Sequence, residues 1–297
     1  MKMPSETNII SSEGLDLNQT LLCGQVFRWK KVADSIIGID GSHFAKFSDA
    51  SGGGIQIENS NAPTAVWEKF FQLEPETTDV WDRLSSADSS FNEDFSYLRG
   101  LRLLRPTNPL EVLFSFLCTS NNHLSRIQKM VDCMSNLGKP VANVDGHPIS
   151  TFPTLERLSK VTEDDLRDWG FGYRGATIPI VVSQLQDRGD NWLDDLKCAE
   201  YVEARAELTE LAGVGPKLAD CICLYALHFD SAVPVDTHVC QAVTRRYLAS
   251  AAQKKPSPSR YDEIANVVRD RFGNLAGWAQ LILYYDNLLQ QRKVRYN

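Results

Sequence analysis

No apolar run in the 297 residues approaches the ~18–20 that a helix needs to cross a bilayer, so no membrane span is expected. The opening MKMPSETNII shows neither a charged-then-apolar secretory pattern nor an Arg-rich amphipathic one, and an intracellular protein is the simplest expectation. Paired cysteine motifs are missing too. Seven cysteines (Cys23, Cys118, Cys133, Cys198, Cys221, Cys223 and Cys240) are scattered and odd in number, which points to free thiols rather than a disulfide framework. Cys221 and Cys223 would face different sides of a helix, and no cysteine follows Cys240 to complete an iron–sulfur set, so no metal site is expected. A basic excess is also absent. Lys and Arg number 31 against 38 Asp and Glu, a net charge of −7, which excludes a protein that coats nucleic acid by bulk charge. Nucleotide-binding glycine loops are lacking: no Gly-x-Gly-x-x-Gly sits between a strand and a helix, and Gly215-Pro216-Lys217 runs on into Leu218.

What is present is enough apolar material, 43% of residues, for a sizeable core, and a length that suits about two domains at roughly 150 residues each. The first sixty residues read as an antiparallel meander, with strands over 26–32, 35–40, 43–47 and 54–58 separated by Asp, Ser and Gly turns. From Pro63 the periodicity turns helical. Helices are expected over 64–73, 78–84, 91–98, 110–118, 126–137, 155–158, 163–169, 176–187, 191–197, 201–211, 217–227, 237–249 and 261–272, with a last one from 275 and an exposed loop at 253–259. The fold class is therefore α+β: a β-rich front (1–105) packed on an all-helical remainder (106–297), with the C-terminal helix near 275–290 packing back toward the front. Charge is uneven within this frame. Between Arg99 and Lys129 five cations face the single acid Glu111, so a local basic patch survives the acidic total.

The most informative stretch is LTELAGVGPKLADCICLYALHFDSAVPVDTH, residues 208–238. A helix ends near Leu211, Gly213 and Gly215 make a tight turn, and Pro216 suits the first turn of a second helix. A helix-hairpin-helix of this kind lets backbone N–H groups approach a phosphate at a helix N-terminus, which is how an acidic protein can hold DNA. Lys217 and Cys221 share a face at i, i+4. In the first turn the helix dipole disfavours an ammonium, so Lys217 is a candidate amine nucleophile that forms a Schiff base. Asp236 follows an extended segment and stands at a helix start, where it can cap the helix and keep its charge. An amine and a fixed carboxylate at one pocket suit displacement at a sugar C1′. The residues alone leave a second reading open, in which Lys217 touches a phosphate, Asp236 is an N-cap, and the hairpin is a non-catalytic DNA-binding module.

The run Gly213-Val214-Gly215-Pro216-Lys217 followed by Val233-Pro234-Val235-Asp236 resembles the helix-hairpin-helix DNA glycosylase superfamily. Within it the chain is similar to the eukaryotic-type 8-oxoguanine DNA glycosylase/AP lyases. Four further blocks carry that resemblance from about residue 15 to 289: Gly24-Gln25-Val26-Phe27-Arg28-Trp29, Ser120-Asn121-Asn122 with Arg126, Gly172-Tyr173-Arg174, and Gly277-Trp278-Ala279-Gln280. The resemblance implies a two-lobed helical core with the active site between the lobes. It implies excision of a flipped-out 8-oxoguanine opposite cytosine, with Lys217 as Schiff-base nucleophile, Asp236 stabilising the sugar cation, and β-elimination to follow.

By the same resemblance, the Gly24 carbonyl accepts N7–H of the base, Cys221 and Tyr284 pack on its faces, and Gln280 reads its Watson–Crick edge. Asn121 fills the vacated stack, Arg126 and Arg174 bond the estranged cytosine, Tyr173 wedges beside it, and His238 contacts a phosphate. No cofactor is implied beyond a monovalent or calcium ion on the hairpin carbonyls near Thr209, Leu211 and Val214. The implied partner is double-stranded DNA bound by a monomer without a membrane, and the implied compartments are the nucleus and the mitochondrion. A glycosylase for an alkylated or formamidopyrimidine base is the neighbouring alternative. Three positions depart from the family pattern: Tyr284 for Phe, His123 for a third Asn, and Cys23 for a smaller residue.

Overall fold

A computed structural model describes residues 8–10, 14–51, 53–74, 77–248 and 258–296. Strands β1 (Asn8–Ile10), β2 (Lys30–Val32), β3 (Ser35–Asp40), β4 (His43–Asp49) and β5 (Ile55–Glu58) form one antiparallel sheet in the order β1-β5-β4-β3-β2. Its two faces are covered by different parts of the chain. On one face Ile36, Phe47 and Ile57 lie in cross-strand register and pack against Trp29, Trp67, Phe70 and Phe71. Trp29 stacks on Phe47 with centroids 5.2 Å apart and lies so close to Gly38 that an added Cβ would sit 2.4 Å from its ring. On the other face Ile37 and Ile39 pack against Val144 and Ile149. Burial on both faces explains the unbroken apolar run of β3.

Helices α1 (Leu17–Leu21), α2 (Thr64–Phe70), α3 (Thr77–Ala87) and α4 (Phe91–Phe95) belong to the first hundred residues. After them come α5 (Pro109–Leu117), α6 (Leu124–Ser135), strands β6 (Pro140–Val144) and β7 (His147–Ser150), α7 (Leu155–Leu158), α8 (Glu163–Asp168), α9 (Arg174–Arg188) and α10 (Trp192–Asp195). The chain continues through α11 (Tyr201–Thr209), α12 (Pro216–Tyr225), α13 (Thr237–Tyr247), α14 (Pro258–Phe272) and α15 (Ala276–Tyr296). The largest apolar cluster runs without a break from Cys23 and Phe27 through α3, α4 and Leu103 to α5–α15. Helix α15 reaches the front of the molecule through hydrogen bonds from Tyr284 to the Cys23 carbonyl (3.3 Å) and from Tyr97 to Asp286. Among the described residues no helix is long and apolar enough to cross a membrane.

The structure corrects the sequence expectation in four places. Residues 26–29 are not strand. The neighbouring Gln25 side chain ties this part of the chain to other segments, donating to the carbonyls of Thr20 (3.2 Å) and Arg102 (2.9 Å) and accepting from the Leu104 N–H (3.0 Å). The remainder after 106 is not all helical, because β6 and β7 pair across Asp145-Gly146, both at positive φ as a tight hairpin turn requires. Strand β1 and the one-turn helix α1, capped by Asp16, were not anticipated. Helices α2, α11, α12 and α13 stop at Phe70, Thr209, Tyr225 and Tyr247, short of the expected 73, 211, 227 and 249. The loop expected at 253–259 lies, as far as residue 257, outside the described residues.

Candidate active site

The hairpin forms as its glycines demand. Helix α11 ends at Thr209, and Val214 N–H closes the turn on the Leu211 carbonyl at 3.0 Å. Gly213 has φ +74°, and a Cβ there would meet the Thr177 methyl at 2.7 Å, so neither backbone nor space admits another residue. Gly215 caps α12, with nothing within 4 Å of its missing Cβ, which leaves the helix N-terminus open to an approaching anion. Gln184 of α9 clamps the turn from behind, accepting from Ala212 N–H (2.8 Å) and donating to the Glu210 carbonyl (3.1 Å). Neither Gln184 nor Thr177 carried a signal in the sequence.

Lys217, one residue into α12, and Asp236 border the same cavity of about 460 Å³. Gly24, Cys221, His238, Gln280 and Tyr284 line it as well, so seven of the anticipated residues come together. Asp236 caps α13 as expected, its Oδ1 accepting the Val239 N–H at 2.9 Å. That bond fixes the carboxylate while Oδ2 keeps its lone pairs. Phe27, Phe116 and Tyr225 form an aromatic wall that the sequence reading missed, because their spacing is that of ordinary core residues. Phe116 stacks on Tyr225 (5.4 Å, 10°), meets Phe27 edge-on (5.6 Å), and lies 5.5 Å from Lys217 Nζ. The amine therefore sits against an apolar, polarisable face.

Burial pushes the Cys221 thiol up to about 11, against the opposing pull of Lys217, so it packs as a neutral sulfur. Gly24 has φ +104°, a conformation that glycine accepts and side chains resist. The Tyr284 hydroxyl lies 3.6 Å from the place its Cβ would occupy and donates to the Cys23 carbonyl, so the hydroxyl that departs from the family pattern has a partner. Burial raises the Tyr284 phenol well above its ordinary value, which keeps it a donor. Gln280, 5% exposed, donates to the Pro234 carbonyl at 3.1 Å, while its buried Oε1 has no partner among the described residues. An unpaired buried acceptor costs about 1–3 kcal/mol, a deficit that a ligand donor would remove. His238 has Nδ1 3.1 Å from Asn287 Oδ1 and its ring edge-on to Tyr284.

A wider groove shares Thr119, Asn122, Lys217, Asp236 and His238 with this cavity and adds Asn121 and Gly215. Asn121 stands exposed in the α5–α6 loop with φ +47°. Tyr173, 58% exposed, donates to the Ser120 carbonyl at 3.2 Å. Arg174 is only 4% exposed. Its Nε donates to the Leu117 carbonyl at 3.3 Å, Nη2 donates to Ser120, and its guanidinium lies 4.6 Å from the Tyr173 ring. Among the described residues no carboxylate pairs with this buried cation, which is compensated by carbonyls at and just beyond the C-terminus of α5. Arg126 reaches the Gly170 carbonyl at 2.9 Å. Asn121, Arg126, Tyr173 and Arg174 thus meet where the 118–122 and 169–173 loops touch. None of Arg126, Tyr173 and Arg174 lines the cavity.

Comparison with known proteins agrees with this geometry. The family described as 8-oxoguanine DNA glycosylase, N-terminal domain, matches residues 8–113. The chain is 39% identical over 288 residues to the N-glycosylase/DNA lyase OGG1 of Arabidopsis thaliana, spanning 94% of this chain and 79% of that protein. It is 35% identical over 254 residues to the N-glycosylase/DNA lyase of Saccharomyces cerevisiae, spanning 76% and 67%. Among solved structures, the Clostridium acetobutylicum 8-oxoguanine glycosylase/lyase, in complex with double-stranded DNA containing cytosine opposite 8-oxoguanine, superposes with a TM-score of 0.84 at 29% identity, covering 98% of this chain and 99% of that one. With this likeness over nearly its whole length, the chain belongs to the 8-oxoguanine DNA N-glycosylase/DNA lyase family.

Proposed function

We propose that Lys217 and Asp236 together excise 8-oxoguanine from duplex DNA, where it lies opposite cytosine, and that Lys217 then nicks the strand. The observation that carries this reading is the shared cavity of Lys217, Asp236, Gly24 and Gln280. The flipped nucleotide enters it base first. The Gly24 carbonyl accepts N7–H, a donor that guanine lacks, and the free Gln280 Oε1 accepts from the donors of the Watson–Crick edge. Cys221 and Tyr284 pack on the base faces. Nζ of Lys217 forms a bond to C1′ as the C1′–N9 bond breaks, and the base leaves with the bonding pair and takes up the proton that the attacking amine gives up. The Asp236 carboxylate stabilises the positive charge that develops on the sugar. Ring opening gives the Schiff base, loss of a C2′ proton expels the 3′ phosphate, and water releases the lysine.

On the other strand, Asn121 fills the gap, Tyr173 wedges beside it, and Arg126 and Arg174 bond the estranged cytosine. Arg174 first releases its bond to Ser120, so the 118–122 loop shifts on binding. Gly213, Gly215 and His238 hold the phosphates of the lesion strand. The chemistry uses no cofactor. Leu211 keeps a second carbonyl lone pair beside its turn bond, and with Thr209 and Val214 it would hold a monovalent or calcium ion that adds positive charge near a phosphate. We place the protein in base excision repair as a monomer, in the nucleus and the mitochondrion.

Borohydride trapping on a duplex carrying 8-oxoguanine opposite cytosine tests the reading. The unmodified protein should give a covalent adduct. Lys217→Gln should give none and should lose base release by at least ~10³-fold while duplex affinity holds. Retained turnover in Lys217→Gln would remove Lys217 as the nucleophile.

A further inference from the structure

Tyr261, near the start of α14, lies on the groove side of the hairpin, and its hydroxyl stands where the supports of Lys217 and Asp236 meet. It donates to Asp220 Oδ2 at 2.5 Å and accepts the Val235 N–H at 3.2 Å, with the carbonyls of Pro216 and Val233 at 3.3 and 3.4 Å. Pro216 directly precedes Lys217, and Val235 directly precedes Asp236. Asp220 is fully buried on α12, between Lys217 and Cys221. Its other oxygen accepts from the Tyr201 hydroxyl (2.6 Å) and from Arg205 Nε (3.0 Å), both on α11. Arg205 also lies over the Tyr261 ring, 5.7 Å from its centroid. One buried carboxylate and one phenol therefore cross-link both arms of the hairpin to the irregular 231–236 segment that delivers Asp236.

We propose that Tyr261, acting through Asp220, is a positioning residue that fixes the separation of the Lys217 amine and the Asp236 carboxylate. The only other side-chain bond to the backbone of residues 233–235, among the described residues, is Gln280 to the Pro234 carbonyl. Gln280 also faces the base, so its tie changes whenever a base enters or leaves. Tyr261 holds the segment independently of that event. Misplacement of reacting groups by about 1 Å costs on the order of 10²-fold in rate, which is the scale on which such a brace acts.

The proposal rests on the Lys217–Asp236 reading, and its test is separate. Tyr261→Phe keeps the ring and its contact with Arg205 and removes only the hydroxyl. Single-turnover base release should slow by about 10- to 100-fold, with duplex affinity changed less than about threefold. Asp220→Asn should slow it similarly, and the double variant should be no worse than either single one, as expected of residues that act as a unit. Base release at the unmodified rate in Tyr261→Phe, or a slowing matched by an equal loss of duplex affinity, overturns the proposal. Should Phe at 261 prevent folding, hydrogen exchange in the unmodified protein decides: the Val235 amide is protected if Tyr261 holds it, and exchange at the rate of an open loop overturns the brace. Failure of the underlying reading shows elsewhere, as turnover retained by Lys217→Gln.

Discussion

The two sides of the DNA-contacting surface are built on opposite terms. On the proposed lesion side the assigned groups are already held and still have capacity to spare: Asp236 is fixed by one oxygen, and Gln280 is fixed by its amide nitrogen with its oxygen unpaired among the described residues. On the side proposed to meet the opposing strand, the assigned residues are spent on the protein's own backbone carbonyls, with Arg174 and Tyr173 bonded to Ser120 and Arg126 to Gly170. A preorganised pocket lowers the barrier of the chemical step, because nothing has to reorient as charge develops. A self-bonded reading face does the reverse for binding, since the protein–protein bonds must be exchanged before the partner base is engaged. On the proposed reading, rate is set mainly on one side and choice of opposing base on the other.

The sharpest way to break that contrast is Asp236→Asn. Asn is as good an N-cap as Asp, so folding should be nearly unchanged, but the charge is gone. Base release should fall by about 10²- to 10³-fold with duplex affinity retained. A loss below threefold in single-turnover assays would move the cation stabiliser elsewhere. Arg174→Gln addresses the other side. It should narrow the ratio of excision opposite cytosine to excision opposite adenine by about tenfold and lower the melting temperature by a few degrees, because the brace on α5 and the 118–122 loop is lost. An unchanged ratio would leave Arg174 a structural residue only.

A third prediction concerns the scaffold beneath the pocket. Glu111, 15% exposed and 3.3 Å from Arg28, has its carboxyl pushed up to about 7 by burial, against the opposing pull of Arg28. A carboxyl raised in the folded state binds a proton that the unfolded chain has already released. Its contribution to stability is therefore full at low pH and declines as pH rises from about 4.5 to about 7. Glu111→Gln removes this titration. The variant should gain on the unmodified protein through that window, by roughly 1–3 kcal/mol between denaturant midpoints at pH 4.5 and pH 8. A difference that does not move with pH would rule it out. The smallest effect is expected from Tyr284→Phe, which keeps the stacking ring and removes the bond to Cys23. Turnover should change less than about threefold, with stability down by about 1 kcal/mol.

How far the sequence reaches depends on whether a feature is local. Gly213, Gly215, Pro216 and Asp236 are punctuation within one short stretch, and the turn, the cap and the helix starts they specify all form. Gly24, Gln280 and Tyr284 join that stretch from distant parts of the chain, and only the family resemblance brought them together in advance. Phe27, Phe116 and Tyr225 escaped notice because a cavity wall and a core obey the same periodicity. Residues 26–29 read as strand because their side chains suit one, whereas the neighbouring Gln25 side chain ties this part of the chain to the backbone of Arg102 and Leu104, a long-range pairing no local pattern records. The β6–β7 hairpin did carry a signal in Asp145-Gly146, but Pro140 and Pro148 in its short strands obscured it.

Cys23 and Cys221 both border the cavity, and burial pushes both thiols up to about 11. At neutral pH little of either is thiolate, the form that peroxides attack. A buried, protonated sulfur is a poor nucleophile, so neither cysteine is expected to be a ready target for the oxidants that damage guanine.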